Sequence, residues 1–197
     1  MKCLYCDNEI KDYSLYSLLF EEDKLCLKCR NKMIFHHQKF KLEELEVESF
    51  YEYESLFKDL LLQYKECYDE ALYEIFLYKI YDYIKLKYIG YKILYVPSST
   101  SKLSQRGFNH IKKIYESLNF EEINGLEMIE DISQVAKSYK QRSRMKTNYK
   151  YTGKSLNKVL IVDDVCTSGS SLMGVYDAIK DSCKVCKAIV LAKTWKL

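Results

Sequence analysis

Apolar residues along this chain follow two patterns, unbroken runs and stripes at helical spacing. Val159 to Val162 form a run with no polar interruption, the pattern of a strand buried on both faces of a parallel sheet. Ile93, Leu94 and Val96 give a second strand over residues 91–96, ending at the chain's single proline, Pro97, which biases Val96 to an extended backbone. Val185, Ala188, Ile189, Val190 and Leu191 give a last strand within residues 184–193, and residues 127–130 fit a short one. Helical stripes run through Leu56, Leu60, Leu61 and Tyr64, then through Ile111, Ile114, Tyr115 and Leu118, and through Leu172, Val175, Tyr176 and Ile179. A longer helix is predicted from about residue 69 to 88, with Leu72, Ile75, Phe76, Ile80, Tyr83 and Ile84 on one face. Val47, Phe50 and Tyr51 fit either a short edge strand or a helical turn. Strands alternating with helices predict an α/β fold, a parallel sheet of four or five strands flanked by helices.

Chemistry enters where the apolar run 159–162 stops. Two carboxylates, Asp163 and Asp164, are followed by Val165 and Cys166 and by a small, hydroxyl-rich turn, Thr167-Ser168-Gly169-Ser170-Ser171, that opens a helix. Ligands of open α/β sheets bind at the carboxyl ends of strands. Free N–H groups at a helix start attract a phosphate, and small side chains let it come close. The two carboxylates stand one step earlier, placed to bond the hydroxyls of a sugar carrying that phosphate. They are expected to line a crevice open to solvent. The strand ending at Val96 leads to a second hydroxyl loop, Ser98-Ser99-Thr100-Ser101, and to Arg106-Gly107, a second anion site by the same logic.

Cys3-x-x-Cys6 and Cys26-x-x-Cys29 are separated by 19 residues, the spacing of a four-thiolate zinc site. The segment is too short to bury a useful core alone, so a structural zinc is expected to supply much of its folding energy. His36 and His37 read as surface residues behind it, Cys67 as a core thiol, and Cys183-x-x-Cys186 as the start of the last strand rather than a second metal site.

Val-Leu-Ile-Val-Asp163-Asp164-Val-Cys-Thr-Ser-Gly-Ser-Ser171 resembles the phosphoribosyl-pyrophosphate (PRPP) motif of type I phosphoribosyltransferases. With the Arg106-Gly107-Phe108-Asn109 run and the N-terminal cysteines, the chain resembles the ComF competence-protein family, implicated in the uptake of DNA into the cytoplasm. That resemblance implies a type I phosphoribosyltransferase-like sheet. It implies that Asp163 and Asp164 hold the ribose hydroxyls, that Thr167, Ser168, Gly169, Ser170 and Ser171 cradle the 5′-phosphate, with Val165 and Cys166 in the same PRPP-binding stretch, and that Mg²⁺ accompanies the pyrophosphate. Ser98, Ser99 and Arg106 are its pyrophosphate candidates. The family's strand usually ends in two prolines with one residue between, whereas here Val96-Pro97-Ser98-Ser99 lacks the second. The expected organisation is a zinc module over 1–36, a helical flanking region over 37–90 and a phosphoribosyltransferase-like domain over 91–197.

Composition narrows the function classes. The chain has 197 residues, 48% of them hydrophobic and 30% charged, with a net charge of only +3. No run of about 18 apolar residues suggests a membrane span, and Met1-Lys-Cys-Leu-Tyr-Cys has no signal-peptide core, so the cytoplasm is the expected location. The charge is uneven: residues 42–54 hold six Glu and no cation, while 137–158 hold eight Lys or Arg and no acid. This basic stretch, with Arg142, Arg144, Lys146 and Tyr149, suits single-stranded DNA or a mobile lid over PRPP. The related transferases carry such a lid. Three classes remain open: a Mg-dependent transferase of unknown acceptor, a DNA-handling protein with a PRPP site, and a non-catalytic PRPP sensor. The DNA-uptake reading, with a protein of the uptake machinery as a further partner, is favoured.

Overall fold

The computed structural model describes residues 2–10, 24–129 and 149–194. Its centre is a five-stranded sheet in the order β1-β2-β7-β6-β3. The hairpin β1 (Phe35–Leu42) and β2 (Leu45–Glu52) is antiparallel, and β2, β7 (Cys183–Lys193), β6 (Leu156–Cys166) and β3 (Lys92–Tyr95) are mutually parallel. β4 (Leu126–Met128) and β5 (Tyr149–Tyr151) form a separate antiparallel pair. Val159–Val162 of β6 and residues 188–192 of β7 are fully buried, as expected for strands covered on both faces. Each Val, Leu or Ile so buried stabilises the fold by about 1.5–3 kcal/mol.

Seven helices occur among the described residues: α1 (Leu27–Arg30), α2 (Ser55–Glu66), α3 (Tyr73–Leu77), α4 (Tyr81–Lys87), α5 (Thr100–Arg106), α6 (His110–Tyr115) and α7 (Ser170–Ile179). Among them none is long and apolar enough to cross a membrane. The single helix expected near 69–88 is instead a 3₁₀ turn at Glu70–Leu72 followed by α3 and α4. Ile75, Phe76 and Leu77 are three consecutive buried residues, more than one stripe of a straight helix can bury. The chain turns after Leu77, where the Ile80 N–H donates to the Leu77 carbonyl at 2.8 Å.

Val47, Phe50 and Tyr51 lie on β2, which is an interior strand rather than an edge. The edge is β1, where Lys39 and Lys41 guard the unpaired backbone. Cys67 is exposed just beyond α2, not a core thiol. The acidic stretch hides one buried acid, Glu48, which fastens α4 to the hairpin. His37 Nε2 and the Tyr83 hydroxyl lie 2.8 Å from its carboxylate, the Tyr88 hydroxyl 3.2 Å, and Lys87 pairs with it. Burial alone would raise this carboxyl, but bonds from Lys87, Tyr83 and His37 outweigh it and lower it to about 2.

Candidate functional site

The carboxyl edge of β6 is built from local rules. After Cys166 the chain bends through exposed Thr167 and Ser168 to Gly169, whose φ of +78° lies in the left-handed region that a side chain disfavours. A Cβ there would also come 2.7 Å from Leu42 Cδ1, so glycine is required twice over. Helix α7 then begins, with the Met173 N–H bonded to the Gly169 carbonyl at 2.9 Å. The Ser168 and Ser170 hydroxyls lie 2.9 Å apart beside its open N–H groups. On the neighbouring strand the Val96 N–H donates to the Val162 carbonyl at 3.1 Å, which sets Pro97, Ser98 and Ser99 beside the acidic pair. Ser99 precedes α5, its hydroxyl 3.2 Å from that of Ser101.

Asp163 and Asp164 have unequal surroundings. Asp164 is 5% exposed, and its Oδ2 lies 2.7 Å from His110 Nε2 and 2.8 Å from Lys65 Nζ. Burial alone would raise its carboxyl, yet the His110 bond and the Lys65 charge hold it well below the usual range. The expectation of two carboxylates in an open crevice therefore fails for Asp164, because α2 packs one lysine and α6 one ring against it. Asp163 is half-buried and accepts one bond, from the Asp164 N–H at 2.8 Å. Burial, with the Asp164 charge beside it, pushes its carboxyl up to about 8.

The Arg106–Asn109 run serves this architecture residue by residue. Arg106 turns away from the hydroxyl loop: Nε donates to the Lys65 carbonyl at 3.0 Å, Nη1 to His110 Nδ1 at 3.1 Å and Nη2 to Glu66 Oε1 at 3.2 Å. Gly107, at φ +78°, ends α5, Phe108 packs 5.5 Å from the Tyr64 ring, and Asn109 caps α6 by accepting from the Lys112 N–H at 3.0 Å. The Tyr64 hydroxyl donates to the His110 carbonyl and the Tyr115 hydroxyl to that of Asp163, which locks α2, α6 and β6 together. Lys65 and His110 carried no motif. They lie 99 and 54 residues from Asp164 in the chain, and only the fold brings them to it.

Arg142, Arg144 and Lys146 lie outside the described residues. Tyr149 is 9% exposed and packed into the core, which removes its ring from the stacking role expected of it.

The four cysteines converge. The Sγ atoms of Cys3, Cys6, Cys26 and Cys29 all lie within 4.8 Å of one another, with Cys6 and Cys26 at 3.7 Å. A tetrahedron with zinc–sulfur bonds of ~2.3 Å has edges of about 3.8 Å, so the donor set and spacing fit a metal such as zinc. The first turn is pinned by the Asp7 N–H to the Cys3 carbonyl and by the Leu4 N–H to the Lys24 carbonyl. Burial opposes ionisation of Cys3, but backbone bonds at Cys26, Cys6 and Tyr5 outweigh it and bring the thiol down to about 7.

No family model matches the chain. It is similar to the competence protein ComFC of Streptococcus pneumoniae (strain ATCC BAA-255 / R6), at 25% identity over 215 aligned residues that span 92% of this chain and 94% of that protein. The similarity runs along the whole chain, which carries the cysteine cluster, the Arg-Gly-Phe-Asn run and the acidic pair in that order, and it supports membership of the ComF family of competence proteins.

Proposed function

We propose that this protein binds PRPP at the carboxyl edge of β6 and β3 and acts in DNA uptake in the cytoplasm, handling single-stranded DNA. The observation that carries the PRPP reading is Asp163, an acid with one backbone bond, standing ahead of a glycine-gated helix start. The first N–H groups of α7 and the hydroxyls of Thr167, Ser168, Ser170 and Ser171 take the 5′-phosphate. Asp163 bonds the ribose hydroxyls, and Ser98 and Ser99 face the pyrophosphate. Mg²⁺, arriving on the pyrophosphate, supplies charge neutralisation there. The DNA role rests on the printed name of the pneumococcal relative and on the acid-free basic stretch 137–158.

Calorimetric titration with PRPP and Mg²⁺ tests the site. Binding by the wild type and a loss of at least ~10-fold in Asp163→Asn are expected, because bonds to a charged or strongly polar acceptor contribute about 1.5–3 kcal/mol. No heat with the wild type discards the reading. The DNA arm is tested by anisotropy of a labelled oligonucleotide over a salt series. If about four cations each neutralise a phosphate, log affinity falls with log salt at a slope near −3. An Arg142→Ala/Arg144→Ala variant should weaken that binding, and unmoved affinity removes the strip as the DNA site.

A further inference from the structure

We infer that the two acids of the motif have divided roles: Asp164 is an internal anchor held by Lys65 and His110, and Asp163 alone faces the ligand. This assignment deepens the PRPP reading and rests on it for the ligand's identity. Its basis is a set of contacts that fills one oxygen of a buried Asp164 with partners from two helices. Asp164 is buried, its Oδ2 takes both His110 Nε2 and Lys65 Nζ, and His110 is itself 4% exposed. A ribose hydroxyl reaching Asp164 Oδ2 would have to displace a lysine or a buried ring. Asp163 presents a half-buried carboxyl with no side-chain donor bonded to it among the described residues.

The network also fixes a proton. A guanidinium has only donors, so Arg106 Nη1 at 3.1 Å from His110 Nδ1 requires a lone pair on Nδ1. The ring's proton is therefore on Nε2, aimed at Asp164. Lys65 supplies a charge opposite Asp164. Arg106 is held in turn by the Lys65 carbonyl and Glu66, so the C-terminal turn of α2 carries both cations' supports. Lys65, His110 and Arg106 are thus positioning residues. They keep the end of β6 in register with the phosphate loop and touch no ligand atom.

The test melts and titrates wild type, Asp163→Asn, Asp164→Asn, Lys65→Met, Lys65→Arg and Asp164→Asn/Lys65→Met with PRPP and Mg²⁺. Asp163→Asn should keep at least the wild-type melting temperature while losing ~10-fold or more in PRPP affinity. Asp164→Asn should melt several degrees lower, because it leaves the half-buried Lys65 cation unpaired, and adding Lys65→Met should recover part of that loss. Lys65→Arg should hold both melting and affinity closer to wild type than Lys65→Met does. Ring ¹⁵N shifts of His110 should show a proton on Nε2 and a bare Nδ1. Wild-type melting of Asp164→Asn with a PRPP loss equal to that of Asp163→Asn overturns the assignment, as does a proton on Nδ1. Should Asp164→Asn fail to fold, Lys65→Met decides: a clear fall in melting temperature supports the anchor, and unchanged melting removes it. If the wild type binds no PRPP yet the melts and the ring proton are as expected, the ligand reading falls and the anchor stands.

Discussion

Glu48 on β2 and Asp163 on β6 are acids set into strands of one sheet, and they differ in how many donors reach them. Glu48 accepts from four side chains, His37, Tyr83, Lys87 and Tyr88. Asp163 accepts from one backbone N–H. Burial acts on both in the same sense, yet Glu48 is lowered to about 2 and Asp163 raised to about 8. The difference teaches how to separate architecture from site in this molecule. An acid whose lone pairs are filled by the fold holds elements together, and an acid left short of donors is a candidate for binding something the fold does not contain. The four thiols at the N-terminus fall on the second side, because their converging sulfurs could hold a metal such as zinc.

The strongest way to probe that division is to withhold the cation. One zinc per chain is expected in protein purified without chelator, and stripping it should unfold the N-terminal module while the β6–β7 core persists. The effect is large because structural zinc contributes on the order of 10 kcal/mol or more in such modules. Cys26→Ser should behave alike. Metal analysis, with limited proteolysis of the stripped protein, reads it, and a cleavage pattern indifferent to the chelator counts against the site.

Emptying the donor-filled acid should come next in size. Glu48→Ala leaves Lys87, His37 and two tyrosines facing an absent acceptor. A loss of about 3 kcal/mol is expected, at the low end for broken buried pairs because the Lys87 side chain is 33% exposed. Urea denaturation at pH 7 measures it. Since the folded-state pKa lies below the ordinary 4.5, Glu48's contribution is complete above that value and is lost as the pH falls toward 2. The gap between wild type and Glu48→Ala should therefore close in acid. A gap that persists at pH 2 would place the loss in packing rather than in charge.

The loop beside Asp163 offers a smaller effect. Gly169→Ala should cost roughly 2 kcal/mol, about half from the left-handed backbone and the rest from the clash with Leu42. Adding Leu42→Ala should make the Gly169→Ala step cheaper than it is in the wild-type background. Equal costs in both backgrounds would show that the hairpin does not press on this loop.

What the sequence disclosed follows from the range of each signal. The runs of β6, β3 and β7, the paired cysteines and the Asp163-Asp164-to-Gly169 stretch are contiguous patterns, and the fold keeps all of them. β2 was ambiguous because six glutamates within 42–54 mask the alternation, and Glu48 becomes a buried residue only when α4 delivers Tyr83 and Lys87. The break between α3 and α4 depends on which surfaces Leu77 and Phe76 meet, which no periodicity states. Lys65, His110 and the turned-away Arg106 were illegible as a cluster for the same reason: each is an ordinary residue until α2 and α6 dock on β6.

The finest test sits on Asp163 itself, where the predicted effect is small and has the opposite sign. Its carboxyl is raised to about 8 in the folded protein, against an ordinary value near 3.8. Between those values the native state binds more protons than the unfolded chain, so this residue makes stability fall as the pH rises. Below about pH 4 both states are protonated and the residue adds no pH dependence. Above about 8 its full cost is present. Asp163→Asn removes the ionisation while keeping the shape, so the variant should melt higher than wild type, by more at pH 8 than at pH 5. A functional acid kept at the expense of stability is the usual pattern for a ligand site. Thermal melts of both proteins across that window decide it. If Asp163→Asn is instead the less stable at pH 8, the acid is ionised and paired in the native state, and its likeness to Glu48 is greater than its surroundings indicate.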